Sequence, residues 1–431
     1  MKEENKKAIA EYIRSGEKDR SSLKVGLEIE HFLVHSDTFR SVNYYEKDGV
    51  LSVLESLTEK GYEPVKEDGR IIGLNHPLYT VTLEPAAQFE VSIVARQDIV
   101  ALDHAYRTFQ ADVLPVFDRL NISMLCLGYH PVSKIDDIPV IPKGRYNFMK
   151  EYFSTTGTMG RNMMKGSAAV QTAIDYVSEA DFKRKFRLAG ILSPYLYFMY
   201  DNAPIFEGAL YEENMLRCKI WNNTDDDRAG LIDGSLDGDF GYEDYAEYIL
   251  NQPCIVCLDN GGYTFSRDKK VKDIYADKLL SEQEIEYLLT MFFFDARAKR
   301  FIEIRQPDSV PYPLNISLAA LVKGLFYSED NVTALLAEAQ NITTDDVVKQ
   351  KEMLIGASYK EILAQGVFEA CAHLIQLAQN ALSREEGAYL DGLAGLMAER
   401  ETLAMKGRKA IRKYGIQQAL QPYCAKPGEE R

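Results

Sequence analysis

The chain has 431 residues, 46% apolar and 27% charged, the balance of a folded protein and not of a disordered one. Its 50 Lys and Arg against 65 Asp and Glu give a net charge of −15. That charge excludes a general nucleic-acid binder, which needs a basic face to neutralise phosphates, and accords with an enzyme that recruits divalent cations.

In chain order, residues 4–17 read as a short amphipathic helix, 24–35 alternate like a strand, and 46–60 read as a helix ending before Gly61. Residues 77–94 read as one or two strands. Residues 97–120 carry Ile99, Leu102, Ala105, Phe109, Val113 and Val116 at helical spacing, with Pro115 expected to kink the helix near its end. Strands are expected within 121–130 and 168–177, a helix over 180–200, loops over the Gly- and Asp-rich 222–245, and a strand over 299–306. Residues 316–413 are rich in Ala and Leu, with candidate caps at Ser328 and at Thr343–Thr344. Strands first and helices afterwards give an α+β body over 1–315 with a helical region, 316–431, packed on it without a clear linker.

No apolar run reaches the length of a membrane span, about 18 residues. The charged start, MKEENKKAIAEYIRSGEK, lacks a signal-peptide core, and the expected address is the cytoplasm. Six Cys do not make a disulfide framework. Cys254 and Cys257 form a CxxC in an apolar setting with no second ligand pair, and read as two buried, reduced thiols.

The chemistry concentrates in polar faces of strands. Glu28 and Glu30, in GLEIE at 26–30, point to one face about 7 Å apart, while Leu27 and Ile29 point to the other. In LEPAAQFEVS at 83–92, Glu84, Gln88, Glu90 and Ser92 share parity. In FIEIR at 301–305, Ile302 and Ile304 bury while Glu303 and Arg305 share the opposite face. Hard cations such as Mg²⁺ take oxygen ligands between carboxylates and nucleotide phosphates, and no Walker A sequence is present. A glutamate-bearing sheet that holds Mg-ATP fits this pattern. Gln171 and Asp175 share a strand face after the glycine turn at 157–164. Arg217 precedes the single Trp, Trp221, and an Arg there can grip a carboxylate through its planar fork.

At five stations, in order, the sequence resembles the plant-type glutamate–cysteine ligases. Their GxExE strand is matched at 26–30, LEPGGQxELS at 83–92, and YxxxxGxxGxxMM followed by VQxxxD at 152–175. RxxxWxxxDxxRxG is matched at 217–230 and (Y/F)LExR at 301–305. Two departures stand out: Ala86 and Ala87 replace the glycines of LEPGGQ, and Gly166-Ser167-Ala168-Ala169 precedes Gln171 in place of an Arg- and Thr-containing stretch. The resemblance implies a glutamine-synthetase-like fold, a curved, mainly antiparallel sheet with outer helices. It also implies ATP-dependent joining of the glutamate γ-carboxylate to the cysteine amine through an acyl phosphate, the first step of glutathione synthesis, or the same chemistry on another amine. On this reading Glu28, Glu30, Glu84, Glu90 and Glu303 are candidate Mg²⁺ ligands. Arg217 is the candidate glutamate clamp and Arg305 the phosphate stabiliser, both counted as catalytic, with Gln171 and Trp221 as substrate-binding candidates. The expected partners are small molecules, ATP, glutamate and an amine, with neither nucleic acid nor membrane.

Overall fold

A computed structural model describes residues 1–259 and 262–425; the end of the expected helical region, 426–431, lies outside the described residues. Its centre is a nine-stranded antiparallel sheet. The strands are β1 (Val25–His35), β2 (Glu63–Glu67), β3 (Arg70–His76), β4 (Tyr79–Leu83), β5 (Phe89–Arg96), β6 (Ile122–Leu125), β7 (Val170–Ile174), β8 (Ala296–Ala298) and β9 (Ile302–Ile304). Their order is β8-β9-β7-β1-β5-β4-β3-β2, and β6 pairs with the second half of β1.

The central strand decides the two faces. Leu27 and Ile29 are 1% and 0% exposed, while Gly26, Glu28 and Glu30 between them are only half-buried. The alternation continues in register. Glu28 lies opposite Ser92 on β5 and Gln171 on β7, Glu30 opposite Glu90, and Thr82 opposite Glu90 on the far side. Ala173 lies opposite Glu303, which lies opposite Arg297. One face is therefore polar from β8 to β4. On the other, Phe89, Val91, Val81, Val170, Ile302 and Ile304 are buried. Helix α1 (Ile99–Arg119) packs on β5 and β6 there, and α2 (Leu314–Phe326) packs on β1, β7 and α1.

The local rules explain most boundaries. Asp98 caps α1 by accepting from the Ala101 N–H at 2.8 Å, and the helix runs through Pro115 to Arg119. The pattern over 180–200 resolves into two helices, Glu179–Ile191 and Ser193–Met199, the second opening with Pro194 in its first turn. Over 121–130 only β6 is extended. The β2–β3 hairpin, which the pattern did not announce, extends the sheet at its edge. Ser328 and Thr343 cap helices as expected, Thr343 in a capping box with Asp346. Between β4 and β5, Ala87 sits at φ 66°, in the left-handed region that glycine favours. Cys254 and Cys257 are both buried, and burial pushes the Cys254 thiol up to about 12.

One hydrophobic cluster runs from Ile9 to Met405, so the C-terminal helices share a core with the sheet. A buried ion pair adds specificity to that contact. Lys351, on the helix Thr344–Gly356, donates to Asp295 at 2.8 Å, both side chains being 2% exposed, and Ser193 and Tyr197 donate to the same carboxylate at 2.6 and 3.0 Å. Burial pushes the Asp295 carboxyl up, but the Lys351 ammonium and these hydrogen bonds outweigh it and hold it below its usual range. Removing one partner strands the other charge in the interior. Lys351→Met is expected to lose about 3–5 kcal/mol of unfolding free energy in urea titrations, and Lys351→Met with Asp295→Asn to recover most of it. Equal losses in the single and double variants would show that the pair is not what holds these helices to the sheet.

Candidate active site

The polar face gathers most of the residues that the sequence singled out. Glu28 and Glu30 project from β1, Glu90 from β5, Glu84 from the turn after β4, Gln171 from β7, and Glu303 and Arg305 from the β9 end. Glu30 accepts from the Ala169 N–H at 2.8 Å and the Gln171 amide at 3.0 Å, and the Gln171 carbonyl accepts from the Arg305 guanidinium. Glu90 accepts from Thr82 and, at 3.1 Å, from Ser92. Helix α3 (Leu216–Asn222) supplies Arg217 and Trp221. It starts from Met215 in the left-handed region at φ 52°. The Arg217 Nη1 donates to the carbonyls of Arg305 and Gln306 at 3.1 and 2.9 Å, and the guanidinium carbon lies 5.7 Å from the Trp221 ring centroid. Trp221 also lines a cavity with Asp226, Tyr248 and Lys351.

The electrostatics divide the carboxylates into two kinds. Burial first, then the negative charge of Glu84, raises the Glu30 carboxyl to about 7, against the pull of Arg217 and Arg305. Glu28 is raised by burial and by Glu303, and Glu90 is raised well above its usual value by burial, Glu28, Glu84 and Glu30. These acids crowd one another without enough positive charge. Glu303 is the opposite case. Burial pushes it up, but Arg297, Lys299 and Arg305 outweigh burial and hold it far below the usual range. Lys299 is 2.8 Å away and Arg305 3.4 Å. Three cations thus surround its oxygens, and the β8–β9 register sets Arg297 directly opposite. Among the described residues no three His, Cys, Asp or Glu side chains form a ready-made cage for an ion.

Several donors face the site without partners. Among the described residues, Arg217 Nε, Arg305 Nε and the Gln306 amide nitrogen are buried and donate to no hydrogen-bond partner. Three uncommitted donors within one loop-and-helix junction suit an acidic ligand.

Other motif residues build the frame. Gln88, expected on the polar face, turns inward at 2% exposure and donates to the carbonyls of Met164 and Ser167 at 3.2 and 3.0 Å. Gly157 sits at φ 65°, and a Cβ there would stand 2.1 Å from the Thr224 carbonyl, so the glycine turn closes only with glycine. Asp225 and Arg228 form a buried ion pair at 2.5 Å, joined by Tyr152. Asp175, which shares the Gln171 face, is held at the strand's far end by the Lys24 N–H at 2.8 Å.

With this geometry in view, residues 24–393 match the profile of glutamate–cysteine ligase family 2 (GCS2). The chain belongs to this family. It is 30% identical over 398 residues to the chloroplastic glutamate–cysteine ligase of Arabidopsis thaliana, covering 89% of this chain and 75% of that protein. To the chloroplastic enzyme of Brassica juncea it is 31% identical over 386 residues, covering 86% and 74%. In fold it is similar to a glutamate–cysteine ligase of Francisella tularensis solved in complex with AMP. The TM-score is 0.56 at 13% identity, covering 93% of this chain and 87% of that one. The α+β, glutamine-synthetase-like architecture expected from the sequence is thus the family's own. The cytoplasmic address is corrected: the curated relatives are chloroplastic proteins by name. Among the described residues no helix is long and apolar enough to cross a membrane.

The carboxylate pattern makes a signed prediction for the metal-free protein. A folded-state carboxyl raised from its ordinary 4.5 to about 7 favours folding fully below pH 4.5 and progressively less as pH rises toward 7. Glu30→Gln should therefore gain on the order of 1–3 kcal/mol of stability at pH 7.5 and little at pH 4.5. Glu303→Gln should lose about 3–5 kcal/mol at pH 7.5, because its lowered pKa supplies stability above 4.5 that its cations would then lack. Unfolding curves for both variants at the two pH values test this; the same sign for both would refute the division.

Proposed function

We propose that this chain is a glutamate–cysteine ligase: with ATP it joins the γ-carboxylate of L-glutamate to the amine of L-cysteine, releasing ADP and phosphate, the first step toward glutathione. The observation that carries this reading is the junction of Arg217, Arg305 and Gln306, uncommitted donors facing a wall of crowded carboxylates in a member of this family.

A carboxylate is a poor electrophile and does not react with an amine unaided. Transfer of the γ-phosphoryl group of ATP to the glutamate side chain gives an acyl phosphate, and the amine then displaces phosphate. The residues fit a hard dication by the chemistry of their donors. Glu28, Glu30, Glu84 and Glu90 are oxygen ligands that repel one another, and positive charge among them relieves that repulsion. Mg²⁺, when bound there, neutralises and orients the transferring phosphoryl group. Glutamate lies along the β7–β9 side, where Arg217 grips its α-carboxylate, held in place by the 305 and 306 carbonyls and by the Trp221 ring. Arg305, fixed by Gln171 and Glu303, faces the oxygens on which charge develops. Its environment is strongly cationic: burial and Arg297 lower its guanidinium to about 10, which places a premium on a negative ligand.

Incubation with Mg²⁺, ATP, L-glutamate and L-cysteine should yield ADP, phosphate and a γ-linked dipeptide, with a panel of other amines consumed more slowly. AMP and pyrophosphate as products would overturn the acyl-phosphate route. Arg217→Lys keeps the charge and loses the planar fork, so the glutamate KM should rise about tenfold or more while the ATP KM changes little. Equal changes in both constants would remove Arg217 from the glutamate site.

A further inference from the structure

Two cations that no motif pointed to stand beside the acidic wall. The segment that carries them is pinned to the β4–β5 turn and to the sheet edge. The Ile141 N–H donates to the Pro85 carbonyl at 3.0 Å, and the Gly144 N–H donates to Glu67 on β2 at 2.7 Å. Lys143 and Arg145 lie on either side of that anchor, at the start of the helix Gly144–Tyr152. Both pack on the buried Tyr146 ring, the Lys143 Nζ 5.1 Å and the Arg145 guanidinium carbon 5.0 Å from its centroid. The Tyr146 hydroxyl is 3.4 Å from a Glu84 oxygen.

Neither is held in an ion pair. The cations on the opposite side of the site, Arg297, Lys299 and Arg305, all pair with Glu303. Among the described residues neither Lys143 nor Arg145 has a carboxylate within ion-pair distance. Arg145 donates only to the Tyr146 hydroxyl, at 3.3 Å, and its Nε is buried with no partner, as is the nearby Tyr287 hydroxyl. Partly buried positive charge held beside Glu84 and Glu90, yet not paired with them, leaves room for a polyanion between the two. Burial, then Arg145, lowers the Lys143 ammonium, and Glu84, Glu90 and Glu67 pull it back, so a polyanion would be welcome there.

The topology fixes which ligand reaches it. From Arg305 on β9 through Gln171 on β7, Glu28 and Glu30 on β1 and Glu90 on β5 to β4 and its turn are four interstrand steps, about 19 Å. Glutamate at the Arg217–Arg305 end does not span that distance, whereas a polyphosphate lying over β5 and meeting the acid above β1 does. We propose that Lys143 and Arg145 bind the polyphosphate of the nucleotide, opposite the glutamate clamp and on the far side of the carboxylate wall. This rests on the ligase reading above.

Calorimetric titration of the full chain with Mg-ATP, Mg-ADP and AMP, without glutamate, tests it. In the parent, affinity should fall as phosphates are removed. In Lys143→Met and Arg145→Gln, Mg-ATP and Mg-ADP should bind about tenfold more weakly, with AMP changed less than about twofold, because charge-assisted contacts are lost only to the distal phosphates. Arg145→Lys should recover part of the loss. The Lys143 side chain makes no hydrogen bond among the described residues, so its variant keeps the test valid even if Arg145→Gln misfolds. Unchanged Mg-ATP affinity in Lys143→Met, an equal loss for AMP, or a rise confined to the glutamate KM would each overturn the assignment. A parent chain that binds no Mg-ATP would refute the ligase reading itself and the inference with it.

Discussion

Like charge in a half-dry environment is the constraint around which the protein is arranged. Three adjacent strands, β7, β1 and β5, and the turn beside them put acids or their hydrogen-bond partners on one face, and burial there disfavours ionisation. The molecule tolerates this because the other face of the same strands is a continuous apolar layer under α1 and α2. The remaining charges are then sorted by position. Glu303 receives three cations and becomes an anchor for Arg305, while Glu28, Glu30, Glu84 and Glu90 receive hydroxyls, amides and distance, which leaves them available to a cation. The same acidic residue type is thus paired with cations or left among other acids according to what the neighbouring strand places opposite it.

The helical C-terminal region is the other half of the arrangement. It carries none of the carboxylates, yet it holds the parts that present them. Lys351 ties its helix to Asp295, whose carbonyl accepts from the Arg305 N–H at 3.1 Å. Arg408 donates to the Glu213 carbonyl at 2.7 Å and to Asn214 at 2.8 Å, directly before the helix that begins at Leu216 and carries Arg217. Arg305 and Arg217 are therefore both buttressed by residues from the last hundred of the sequence, through short chains of buried polar contacts.

Strand alternation made β1, β5 and β9 legible, and with them the acid faces, because a period of two assigns every second residue without knowledge of partners. Helical periodicity did the same for α1. What lay beyond reach depended on pairing. Nothing in 301–305 says that Arg297 stands opposite Glu303; the β8–β9 register does. Gln88 has the parity of Glu90, but it lies in the turn that precedes β5, where strand parity no longer reports the face. Lys143 and Arg145 are distant in sequence from every acid they approach and arrive through the contacts of Ile141 to Pro85 and of Gly144 to Glu67. The β2–β3 hairpin is an edge with mixed polarity, Glu63, Lys66, Glu67 and Arg70 among its residues, and gives no clean alternation.

Ala87 gives the turn between β4 and β5 a particular kind of mutational constraint. Its left-handed backbone is set by the Ala87 N–H donating to the Glu84 carbonyl at 2.8 Å and by the Glu84 N–H donating to the Gln88 carbonyl at 3.0 Å. Branched side chains cannot enter that basin without strain, so drift at this position is confined to small or turn-forming residues whatever substrate the enzyme meets. The neighbours Glu84, Pro85 and Gln88 belong to the acid wall, the 141–146 arm and the 160–167 helix end respectively. A backbone rule at one residue thereby restricts evolutionary change across three separate parts of the site.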